Sequence, residues 1–62
     1  MKTYLCLWES TAAAHVWQKA ECPSAPQQTD ALLAVFVVPD EMADWPVREL
    51  APIAHTLERA HV

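Results

Sequence analysis

Five residues carry side chains suited to metal ligation or to nucleophile and base chemistry: Cys6, Cys22, His15, His55 and His61. Zinc takes thiolates and imidazoles delivered in close pairs, because one turn must present two ligands to the same tetrahedron. No C-x-x-C or H-x-x-x-H pair occurs, so the spacing predicts no metal and no cofactor. Cys6 alternates with Tyr4 and Trp8 and reads as a small core residue, while His15 and His55 each fall one position off an apolar stripe, where half-exposed residues sit. Cys22 is the better nucleophile candidate, at the end of a predicted helix and just before Pro23. A reactive thiol wants a helix N-terminus or a cationic neighbour, and Cys22 has a helix C-terminus and Glu21 instead. Nucleophile, base and oxyanion donor are nowhere placed together, so no catalytic residue is assigned and the chain is expected not to be an enzyme.

The sequence contains no glycine. Phosphate-cradling loops, dinucleotide fingerprints and nucleophile elbows need glycine where the backbone meets a ligand or takes a positive φ, so those chemistries lose their basis. Two-residue hairpin turns are disfavoured for the same reason.

Charge is more informative. The chain has a formal net charge of −4. Between positions 30 and 49, Asp30, Asp40, Glu41, Asp44 and Glu49 stand against Arg48 alone, five minus one, which accounts for the whole excess. Glu9, Glu21 and Glu58 are balanced by Lys2, Lys19 and Arg59. Acids ahead of a helix favour its first turn, which is the ordinary use of such a run. They can also compete for lysine and arginine sites that otherwise hold phosphates. Trp45, between Asp44 and Pro46, adds the large amphipathic ring that interfaces use as an anchor. The candidate partner-binding residues are therefore Asp40, Glu41, Asp44, Trp45 and Glu49, with Asp30 as an outlying member. Their partner would be a basic protein surface, such as that of a nucleic-acid-binding complex. The same acids argue against direct nucleic-acid binding.

In size and charge the chain is similar to compact acidic inhibitors of nucleic-acid machinery, such as phage-encoded anti-CRISPR proteins; the likeness is one of class and rests on no motif. The alternatives are a small dimeric α/β enzyme or ligand-binding subunit with an intersubunit pocket near Cys22 or the histidines, and an assembly subunit with no site of its own.

The elements that must position these residues begin with Ala31–Val38, eight apolar residues closed by Pro39. Their β-branched and aromatic content and their length predict a strand buried on both faces, and the most buried segment of the chain. Residues 2–8 alternate and predict a first strand. Ser10 or Thr11 can cap a helix over 11–21, in which Ala13, Val16, Trp17 and Ala20 recur at i, i+3, i+4 and i+7. Pro23 and Pro26 make residues 22–29 a loop. An acidic connector over 40–45 leads to a helical turn over 46–50 and a helix over 52–61 with Pro52 in its first turn, presenting Leu50, Ile53, Ala54 and Leu57. The expected fold is one α+β domain over 1–62, a β-α-β-α arrangement of two short strands, parallel pairing favoured, covered by helices.

A domain of about this size buries roughly 60% of its unfolded surface, and a two-stranded sheet is not stable alone. With an apolar fraction of 53%, completion by homodimerisation is expected. Neither a signal-peptide core nor a membrane-spanning run is present, which predicts a cytoplasmic protein with reduced cysteines and no membrane partner.

Overall fold

The computed structural model describes residues 2–11, 14–21 and 30–60. Four strands, β1 (Thr3–Glu9), β2 (Val16–Ala20), β3 (Ala31–Val38) and β4 (Glu58–Arg59), form one antiparallel sheet in the order β2-β1-β3-β4. One four-residue helix, α1 (Val47–Leu50), is flanked by a 3₁₀ turn (Asp40–Met42) and a 3₁₀ helix (Ala51–Thr56). The expected β-α-β-α order with parallel strands under helices is therefore overturned: the described residues are mostly sheet, and every strand pairing is antiparallel.

The largest correction lies at β2, in the stretch expected to be a helix over 11–21. Val16, Trp17 and Ala20 fit a helical stripe, but they also belong to a five-residue run with a β-branched and an aromatic residue, which suits a strand. Long-range pairing decides between the two. On β1, Trp8 lies opposite Val16 and Cys6 opposite Gln18, and the Trp8 indole Nε1 donates to Gln18 Oε1 at 3.0 Å. On the other face the Trp17 ring lies 6.2 Å from that of Phe36 on β3. An isolated helix of about eleven residues is marginal in water, and it would forgo these partners. The link from β1 to β2 is longer than a tight turn, so no glycine is required, and no described residue has a positive φ.

β1 and β3 begin and end close to their predicted positions. β1 carries more of the core than β3: Leu5 and Cys6 are fully buried and Trp8 is 6% exposed, whereas β3 buries Val35 and Val38 and leaves Leu33 40% exposed. The expectation that β3 is the most buried segment, covered on both faces, is thus not met: β1 is the more buried strand, and the buried residues of β3 lie in its second half. Its first half is bent by a register shift: Leu7 faces Ala34 and Trp8 faces Leu32, so Leu33 is the extra residue of a bulge.

Both faces of the sheet are apolar. On one, Leu5 and Val38 meet Leu50 and Ala54, with Trp17, Phe36, Met42, Val47 and Leu57 packed around them. On the other, Cys6, Trp8 and Val35 are joined by Tyr4, Val16, Leu32 and Ala60. The predicted helix over 52–61 is the third correction. Pro52 at the start of a 3₁₀ helix withholds a backbone donor, Thr56 Oγ1 donates back to the Ile53 carbonyl at 2.6 Å, and Leu57 turns extended. The chain then satisfies the edge of β3: Glu58 pairs with Val37, Arg59 with Phe36, and the Ala60 N–H donates to the Val35 carbonyl at 2.8 Å. Leu50 and Ala54 of the predicted stripe do reach the core.

Candidate functional site

The acidic connector leaves the sheet at Pro39, which ends β3, and its backbone closes on itself by short-range bonds. The Met42 N–H donates to the Pro39 carbonyl at 2.9 Å, that of Ala43 to Asp40 at 3.2 Å and that of Trp45 to Met42 at 3.0 Å. Met42 points into the Leu5 cluster, so the turn is pinned by one apolar side chain while its acids face out. Asp40, Glu41, Asp44 and Glu49 are all exposed, and Trp45 is 37% exposed. The run Asp40–Trp45 thus presents carboxylates and an indole together. Among the described residues no cation forms an ion pair with these carboxylates.

One cation nevertheless organises the segment. Lys19 of β2 reaches across and donates from Nζ to the Ala43 carbonyl at 2.9 Å and to the Trp45 carbonyl at 2.8 Å. These are the hydrogen bonds that tie the connector to a distant strand, and charged donors make the stronger kind. Lys19 was placed on a helix by the sequence reading and had no assigned role. Nothing local signals it, since its acceptors lie 24 and 26 positions away.

Lys19 also changes the electrostatics. Four carboxylates against Arg48 and Lys19 leave −2, four minus two. Lys2, which lines an open depression with Val37, Val38, Pro39, Asp40 and Glu41, brings the neighbourhood to −1. The surface is a mixed one with exposed acids at its rim, weaker in net charge than the sequence total for 30–49 implied.

Asp30 leaves the set, and Glu9 lies no nearer to it. Antiparallel pairing puts Thr3 opposite Val38 and Glu9 opposite Ala31, so Glu9 and Asp30 lie at the far end of the sheet from Asp40. Parallel strands would have brought Glu9 to the Asp40 end, whereas Asp30 is separated from Asp40 by the length of β3 in either arrangement. Asp30 keeps one carboxylate oxygen, Oδ1, buried without a hydrogen-bond partner.

The candidates for chemistry fare as follows. Cys6 is fully buried, and desolvation raises its thiol pKa above the ordinary value of 9.0, which keeps it neutral and a poor ligand or nucleophile. His15 and His55 are exposed. Cys22 and His61 lie outside the described residues. Among the described residues no group of three metal-ligating side chains is assembled. A second open depression, lined by Glu9, Ser10, Thr11, Ala14 and His15, sits where β1 passes to β2, and no hydrogen bond joins Glu9 to His15 there. Among the described residues no helix is long and apolar enough to cross a membrane. Compared with protein-family models, curated protein sequences and solved structures, the chain gives no match.

Proposed function

We propose that this chain is a non-enzymatic binding module. Its connector docks on a basic surface of a partner protein, with Trp45 as anchor and Asp40, Glu41, Asp44 and Glu49 as its charged rim, and so blocks a site that would otherwise hold nucleic acid. The observation that carries the reading is the combination at Trp45: an indole 37% exposed, flanked by exposed carboxylates that form no ion pair among the described residues, on a backbone held by Lys19. Anchors of this kind contribute most when they are held in place before binding, because less side-chain and loop entropy is lost on association. The rim acids steer the approach, which makes binding sensitive to salt within a screening length of about 8 to 10 Å.

The test uses an immobilised oligo-arginine peptide as the basic probe. The unaltered protein should be retained and released as salt rises. The variant with Asp40 and Asp44 changed to Asn and Glu41 and Glu49 to Gln should run through, and Trp45→Ala should be released at lower salt. Equal retention of all three proteins would remove the connector from any binding role.

A further inference from the structure

The two outer edges of the sheet are built differently. At the β4 edge the last strand has only two residues, both charged and exposed, and the Arg59 guanidinium continues the cover by donating from Nη2 to the Leu33 carbonyl at 3.3 Å. Short, charged edges of this kind resist pairing with other chains. At the β2 edge none of these devices is present. β2 runs five residues in unbroken register with β1, contains no proline, and among the described residues has no strand neighbour beyond it. Its one charge, Lys19, is drawn off to the carbonyls of Ala43 and Trp45. All five of its residues are only half-buried.

We infer that β2 is a pairing edge for a second copy of this chain, two β2 strands lying antiparallel about a two-fold axis through Gln18. The sequence of the edge is complementary to itself in that register. Gln18 meets Gln18 of the second copy, Trp17 meets Lys19, and Val16 meets Ala20. The residues that flank the strand, His15 and Glu21, are both exposed, and this register sets each opposite the other, an imidazole against a carboxylate on both sides of the axis. No like charges are opposed. Gln18 can serve the axis because its Oε1 accepts from Trp8 through one lone pair, which leaves the second to accept from the amide N–H of the other copy's Gln18. The two sheets merge into one of eight strands, with about four to six new backbone hydrogen bonds. Isologous pairing closes at two copies, so no fibre follows. The contact is short, under the roughly 1,200 Å² of a standard interface, and the dimer is accordingly weak and reversible.

Sedimentation of the full chain from low micromolar to near-millimolar concentration tests this. The expected result is a reversible monomer–dimer equilibrium without larger species. Gln18→Glu keeps an acceptor for the Trp8 indole but opposes two carboxylates on the axis, and should abolish the dimer with the melting curve at low concentration unchanged. Glu21→Lys, at an exposed position remote from the core, should weaken it several-fold, and adding His15→Glu should restore it by reversing the pair. A protein monomeric throughout the range would overturn the inference and leave the edge to a strand from a different partner. Dimerisation unaffected by both Gln18→Glu and Glu21→Lys would overturn it by placing the contact elsewhere.

Discussion

The sheet and the connector spend their aromatic and polar side chains in opposite ways. Trp8 is almost fully covered, with its N–H bonded to Gln18, and Trp17 packs on Phe36. Trp45, of the same residue type, is left partly in solvent on a turn whose acids have no ion pair among the described residues. Lys19 marks the boundary: a sheet residue whose charge serves the connector. The tryptophans therefore cannot be treated as one hydrophobic reserve. Two of them hold the sheet together, and the third is left partly in solvent. Substitutions in the sheet should therefore cost stability, while those in the connector should cost binding.

The largest effect is expected from a charge placed in the core. Val35→Asp buries an unpaired carboxylate beside Cys6 and Trp8 and should leave the chain unfolded by circular dichroism. Leu5→Ala, at a fully buried position, should cost about 2 to 5 kcal/mol, enough to unfold most of a domain this small. Phe36→Asp should be milder than Val35→Asp, since Phe36 is only half-buried; equal effects in denaturant titration would blur the contrast between them.

An intermediate effect is expected at Lys19. Lys19→Met keeps the aliphatic stem and removes both hydrogen bonds, at a cost of about 1 to 2 kcal/mol. Amide exchange should quicken across 43–45 and leave β1 unchanged. Protection lost evenly over the whole sheet would mean that Lys19 is part of the fold's foundation and serves no boundary.

Cys6 gives a pH dependence. Its folded pKa is raised above 9.0, so the unfolded chain gives up the thiol proton at lower pH than the folded one. Its stabilising contribution is complete below about pH 9 and is lost as pH rises toward the folded pKa. Chemical denaturation in a Cys22→Ser background should show falling stability above that pH, and adding Cys6→Ala should flatten the fall. The smallest effect on stability is expected from the four rim acids: changing all of them to Asn or Gln should shift unfolding by less than about 1 kcal/mol.

How much of this was legible in the sequence follows from the range of the forces involved. β1 and β3 could be read because their alternation and apolar content are properties of contiguous residues, and so could the exposure of Asp40, Glu41, Asp44, Trp45 and Glu49 around two prolines. β2 could not, because Val16, Trp17 and Ala20 satisfy both periods and the choice is made by Trp8 and Phe36 from other strands. That single error produced the wrong strand direction, since a helix between strands implies a parallel return and a strand implies antiparallel neighbours. β4 is two residues long and carries no pattern, and the Lys19 bonds connect positions that nothing local relates.

The central claim, that Trp45 is an exposed indole in a locally negative field, can be measured without a partner. Fluorescence quenching by caesium and by iodide compares access for a cation and an anion, and Trp45→Phe isolates the contribution of this ring. Relative to free N-acetyltryptophanamide, caesium should quench the Trp45 component more strongly than iodide, and the two ratios should approach parity in the variant with the four acids neutralised. An iodide ratio as high as that of caesium in the unaltered protein, or quenching that survives Trp45→Phe unchanged, would contradict the claim.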